Sequence, residues 1–282
     1  MDPALEGYLH RLGYDAPPPA TLATLGELHR AHLLTIPYEN LGIMLGRPPS
    51  VGVAQTVNRI ASTGRAGYCF HHNGALGALL AALGFSVTRW HGHVYDGEEW
   101  RWETSLNHLA LAVEDLPTAD NPGGRWWADV GLGDGFLDPL PLVAGELRQH
   151  GFRYALEAPT ERGWSFRHDP AGTFRGVEVS DRPLDIEAAH AELSLTPQSH
   201  FTRFLVAQRR DRTGVDTLRG CVLERVEPGR RDRVDVTSYD EWRGALTGVV
   251  GLPVDDLDPA ELTGLWERTL AGHRAWDEAG RP

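Results

Sequence analysis

"STGRAGYCFHHNGALGALLAALG" (residues 62–84) sets a cysteine between a glycine-bearing approach and a run of small and aliphatic residues. Cys69, Asn73, Leu76, Leu80 and Leu83 recur at steps of four and three, so they share one face of a helix that starts at Cys69. Gly84 supplies the C-terminal stop. A thiol at a helix N-terminus meets the partial positive charge of unpaired N–H groups, which favours the nucleophilic thiolate. The cap signal is weak, because Gly67 and Tyr68 stand where Ser, Thr, Asp or Asn would cap a helix. Position alone leaves Cys69 either a small buried residue or an attacking thiol.

Upstream, "ALEGYLHRLG", "TLATLGELHRAHLLTI" and "VAQTVNRIAST" carry apolar residues three to four apart, so residues 1–84 read as mainly helical. From Phe85 the pattern changes to strands. In "FSVTRWHGHVY" β-branched and aromatic residues dominate, Asp96-Gly97 signals a two-residue hairpin, and "EWRWETS" reads as its return strand. "NHLALAV", "RWWADV", "FRYALEA", "WSFRH" and "TFRGVEV" extend the series, giving a β-barrel over 85–183. Residues 184–282 mix helical spacing with strand-like "RFLVAQRR" and "LRGCVLERV", an α/β part. The class is α+β.

A chain of 282 residues, 41% hydrophobic, is long enough for several packed units. A formal charge of −12 argues against a nucleic-acid partner. No apolar run reaches the ~20 residues of a membrane span and no signal segment opens the chain, so the cytoplasm is expected. Two distant cysteines, Cys69 and Cys221, offer neither a disulfide framework nor a Cys-x-x-Cys metal site. His71 and His72 point apart on a helix, and His91 and His93 share a strand face without a third ligand, so no metal is expected. Cys221, in a strand pattern, reads as packing.

An attacking thiol needs a base that lies far off in sequence and close in space. His108 opens "NHLALAV", where leucines and valine alternate with alanines as on a half-buried strand, which would fix the ring. An acid must then accept the other ring N–H. Asp129 closes the apolar run "RWWADV" and precedes Gly131, Gly133 and Gly135; burying it unpaired would be costly. Each also has a plainer reading, a surface histidine at a strand start and an aspartate capping a turn.

"RAGYCFHHN" (65–73), "NHLALAV" (107–113) and "DVGLGDG" (129–135) come in this order, with "IPYENL" (36–41), "PLPLVAGE" (139–146) and "TPQSHFTRFLVAQRR" (196–210) around them. The set resembles the arylamine N-acetyltransferases, whose hallmark is Arg-Gly-Gly-aromatic-Cys-aromatic-Glu, then Thr-His-aliphatic, then Asp-Val/Ala-Gly-Phe-Gly. The resemblance implies a helical bundle, β-barrel and α/β lid with a cysteine-protease-like core, and a catalytic triad of Cys69, His108 and Asp129. It implies acetyl-CoA as acyl donor, an aromatic amine or hydrazine as acceptor, and a cysteine thioester between two half-reactions. Leu132, Asp134, Phe136 and Phe201 would line the amine pocket, Arg65 and Asn73 would support the site, and Gly131 or Gly133 could approach the cofactor. A homo-oligomer is compatible with all of this.

Ala66, His71, Asn107 and Leu132 depart from the family pattern; His71 stands where a glutamate usually anchors the arginine matched by Arg65. The same order of cysteine, histidine and aspartate would serve a cysteine hydrolase, or an amide synthase that takes longer acyl chains. A binding protein with a dead site is the remaining alternative.

Overall fold

The computed structural model describes residues 1–281. Its first part is helical: α1 (Pro3–Arg11), α2 (Leu22–Thr35), the short α3 (Leu41–Met44), α4 (Val53–Thr63) and α5 (Cys69–Ala82), with a two-residue strand β1 (Tyr38–Glu39) after α2. Asp2 caps α1 through the N–H of Ala4, and Thr21 caps α2 through that of Thr24. Gly64, at φ +77°, ends α4 in the left-handed conformation. The one-face expectation for α5 is too narrow, since the helix is buried nearly all round from Cys69 to Leu80. Its small residues allow that: a Cβ on Gly77 would stand 3.3 Å from Leu111 of the neighbouring sheet.

β2 (Val87–Tyr95), β3 (His108–Val113), β4 (Trp126–Trp127), β5 (Leu140–Pro141), β6 (Gly145–Gln149), β7 (Phe152–Thr160), β8 (Gly163–Arg167) and β9 (Gly176–Ser180) form one antiparallel sheet, ordered β5-β4-β3-β2-β9-β8-β7-β6. It curls as a half barrel, with β5 and β6 as its two edges. All of β3 is buried, not half of it. Leu111 and Val113 pack into the helical core, while Ala110 and Ala112 face Trp127 and Trp164 in the barrel core; the alanines leave room for the indoles.

The expected tight hairpin at Asp96-Gly97 is instead the long loop 96–107, and "EWRWETS" is no strand. His93 holds this loop, its ring nitrogens set against the carbonyl oxygens of Ser105 and Trp100. Arg101 pairs with Glu157 and Glu178 across the sheet. These polar ties fold the segment back over β2 and leave Trp102 exposed.

The last part contains α6 (Ile186–Leu195), α7 (His200–Arg203), β10 (Val206–Arg210), β11 (Val215–Arg219), β12 (Val222–Glu227), β13 (Arg230–Asp235), α8 (Tyr239–Gly244) and α9 (Pro259–Glu278). Its antiparallel sheet has the order β1-β10-β11-β12-β13, so a strand from the helical part completes it. Asn40 fastens that joint: its amide donates to Phe201 O and Phe204 O, each at 2.8 Å, and its oxygen accepts from Val206 N at 2.8 Å. "LRGCVLERV" is two strands joined at Gly220 (φ +59°), so Cys221 is buried at a turn and not within a strand. Burial raises its thiol to about 11. No helix is long and apolar enough to cross a membrane among the described residues.

A buried polar chain ties the helices together. Tyr8 O–H donates to His32 Nδ1, His32 Nε2–H to His72 Nδ1 (2.6 Å), and His72 Nε2–H to Gly67 O (3.1 Å). His29, on α2, donates from Nδ1 to Leu137 O (2.9 Å) and accepts the N–H of Asp129 at Nε2 (3.1 Å). Burial lowers both His29 and His72 to about 4. In the unfolded chain they titrate near 6.5, so their stabilising neutral state is complete above that pH and is lost as pH falls toward 4. Urea unfolding should show a loss of about 2 kcal/mol per imidazole at pH 5 relative to pH 7.5. A flat profile over that window would contradict the neutral assignment.

Candidate active site

Cys69 is the first residue of α5 and is 3% exposed. The missing cap is supplied by an imidazole: Tyr68 N–H donates to His71 Nδ1 (3.2 Å), and His71 Nε2–H donates to Pro49 O (3.2 Å). His71 thus takes the place of the acid of a capping box at the third helical position. Burial, and then the charge of Arg59, push its pKa well below the ordinary value, so it performs this role uncharged. Arg65, with a histidine where the family's glutamate would stand, is anchored elsewhere: its guanidinium forms a bidentate pair with Asp256 (2.6 and 2.5 Å) and donates to Pro253 O (2.8 Å).

His108, at the start of β3, places Nε2 2.7 Å from Asp129 Oδ2. The thiol of Cys69 donates to Asn107 O (3.4 Å) and is hydrogen-bonding company for the His108 ring. Asp129 is 1% exposed and fully engaged. Its Oδ2 also accepts from Trp127 Nε1 (3.0 Å), and its Oδ1 from Asn73 Nδ2 (2.7 Å) and Gly131 N (2.9 Å). Asn73, one turn along α5 from Cys69, accepts Val130 N (2.9 Å) as well. Burial works against charge on His108. The Asp129 carboxylate and the Cys69 sulfur outweigh it and raise the imidazole to about 10. At neutral pH the ring is therefore a cation facing the Cys69 sulfur, an arrangement that suits a sulfur nucleophile and a proton donor to its leaving group.

These groups open on a cavity of about 500 Å³. Cys69, His108, Gly131, Leu132 and Phe201 line it, joined by Tyr38, Asn107, Phe174 and Val206. Sequence reasoning assigned no role to those last four; Tyr38 lies in the quoted "IPYENL", and nothing in the local pattern around Phe174 marks it. Gly131 has to be glycine, because a Cβ there would stand 2.8 Å from Cys69 Cα. Its N–H is given to Asp129, so it has no backbone donor left for a phosphate.

Gly133, Asp134 and Phe136 lie outside the cavity lining. The chain turns inward after Leu132. Gly133, at φ +71°, packs against Gln208, where a Cβ would stand 2.1 Å from the side-chain oxygen. Asp134 accepts from Thr173 N (2.7 Å) and Thr173 Oγ1 (2.9 Å), which fixes the segment carrying Phe174. Phe136 is wholly buried, stacked on His29 at 5.7 Å and edge-on to Trp127. Among the described residues, no group of three or more His, Cys, Asp or Glu is placed to hold a metal ion.

Gly131→Ala should force the turn away from α5 and loosen the Asp129 bonds to Asn73 and His108. The rate of Cys69 alkylation by iodoacetamide at pH 7.5 should fall at least tenfold. A rate within twofold of the parent would show that the close approach does not matter.

The family profile described as N-acetyltransferase matches residues 21–258. An arylamine N-acetyltransferase of Mycolicibacterium smegmatis is 33% identical over 270 residues, covering 90% of this chain and 93% of the relative. The crystal structure of the Nocardia farcinica arylamine N-acetyltransferase superposes with a TM-score of 0.81 at 29% identity, covering 96% of this chain and 95% of the other. The Mycobacterium marinum arylamine N-acetyltransferase in complex with CoA gives 0.77 at 26% identity, over 95% and 97%. The fold, the ordered motifs and these matches agree: the chain belongs to the arylamine N-acetyltransferase family.

Proposed function

We propose that the protein transfers an acetyl group from acetyl-CoA to an arylamine or arylhydrazine through a thioester on Cys69. The observation that carries this is that Cys69 and His108 line one cavity with Asp129 bonded to the His108 ring behind them, in a chain whose relatives are named for the activity. The Cys69 sulfur attacks the thioester carbonyl as the thiolate, its proton held by His108, and a carbon–sulfur bond forms as the carbonyl electron pair moves to oxygen. Collapse of that intermediate breaks the bond to CoA, whose sulfur takes the His108 proton. One thioester replaces another, so the step is near energy balance. The amine then attacks the acetyl-enzyme, His108 accepts its proton, and Asp129 holds the imidazole in place.

The partners are thus a CoA thioester and a small aromatic amine. A cytoplasmic setting suits both, since acetyl-CoA is at hand there and both cysteines are free thiols. Leu132 and Phe201 form the apolar part of the acceptor wall, together with Phe174.

Intact mass after brief incubation with acetyl-CoA, without amine, tests the proposal. One acetyl increment should appear, vanish on adding an arylamine, and be absent in Cys69→Ser. No increment on the parent chain would overturn the acyl-cysteine route, and an increment lost to water as fast as to amine would mean a hydrolase. Asp129→Asn would set an amide N–H against the donors of His108 or Trp127. Its kcat should fall by about 10²- to 10⁴-fold with little change in KM, and unchanged turnover would remove Asp129 from the mechanism.

A further inference from the structure

Tyr38 opens β1, whose main chain runs beside the segment leading into α5. It forms a parallel bridge with Gly67, and Glu39 N–H donates to Gly67 O at 2.8 Å. On its other side Tyr38 is in register with Gln208 of β10. The ring stacks on His72 (5.8 Å, 14° between planes), which is itself held by His32 and Gly67 O. Backbone and ring are therefore both fixed. Tyr38 shares the cavity wall with Cys69 and His108, beside the N-terminus of α5.

The first N–H groups of a helix have no carbonyl in their own helix to bond. In α5 the ladder starts with His71 N–H (2.9 Å) and His72 N–H (3.1 Å), both to Tyr68 O, which leaves the N–H groups of Cys69 and Phe70 outside it. A phenol can accept such an N–H at its oxygen while donating its own hydrogen elsewhere. The helix terminus then polarises the O–H, and the two bonds strengthen each other. Burial, the largest influence, keeps the phenol well above its ordinary pKa, so it stays a donor.

We propose that the Tyr38 hydroxyl is an oxyanion donor, bonding to the carbonyl oxygen of the acyl group as Cys69 attacks. This rests on the acyl-cysteine route above. As the Cys69 carbon–sulfur bond forms, the carbonyl π pair becomes the oxyanion that Tyr38 and the end of α5 stabilise. On collapse the pair returns, the bond to CoA sulfur breaks, and His108 supplies the proton. Tyr38 keeps its own proton throughout.

Tyr38→Phe retains the ring and its stack on His72 and removes only the hydroxyl. Two reactions of Cys69 separate the possibilities: single-turnover acylation by acetyl-CoA, followed by intact mass, and alkylation by iodoacetamide, a displacement at saturated carbon that builds no oxyanion. Acylation should slow at least tenfold, toward the 10²-fold typical of one lost donor, while alkylation stays within twofold. Acylation within twofold of the parent overturns the proposal. So does a parallel fall in both reactions, which would put the hydroxyl's effect on the thiol or on folding. A parent chain that forms no acetyl-enzyme would instead overturn the underlying route.

Discussion

A carboxylate is buried at the point where three parts of the chain meet. Asp129 takes hydrogen bonds from Asn73 on the helix that Cys69 opens, from His108 on a central strand, and from Trp127 and Gly131 on either side of itself. An unpaired charge at 1% exposure would be strongly destabilising, so the helix, strand and turn can close only in the arrangement that satisfies it. The same closure sets His108 beside Cys69. Folding and assembly of the reactive geometry are one event.

The surrounding histidines show how environment divides one residue type between two jobs. His29, His32, His71 and His72 are buried without a carboxylate at the ring, and each is driven toward the neutral form, in which one nitrogen donates and the other accepts. They are connectors: His29 holds the backbone of Asp129, and His71 and His72 hold the two residues that lead into Cys69. His108 is as deeply buried, yet its ring meets Asp129 and goes the other way.

The helices and the strand of His108 were legible because their apolar periodicity records burial directly. α4 has the bounds of its sequence pattern, Val53 to Thr63. Cys69, His108 and Asp129 could be named through ordered motifs, although each alone had a plain reading. What escaped depends on contacts between distant segments. The loop 96–107 has a turn signal and alternating aromatics, yet His93 and Arg101 fold it back over the sheet. β13, six mostly charged residues at a sheet edge, has no apolar alternation to reveal it. Asp134 and Phe136 sit at alternate positions after Leu132 but turn inward, because the bend at Gly133 and the bonds to Thr173 draw the chain into the barrel core. The cap from His71 was invisible for another reason: imidazoles seldom act as the acid of a capping box.

The charge on His108 is where these relations converge, and it can be read directly from the ¹⁵N resonances of its ring in the full chain at pH 8. With Asp129 at 2.7 Å and a pKa near 10, both nitrogens should carry protons at that pH and the signals should move only as the pH approaches 10. A ring that is already neutral at pH 8, titrating near 6.5 like an ordinary histidine, would show that the buried carboxylate does not hold the cation that the proposed acyl transfer requires.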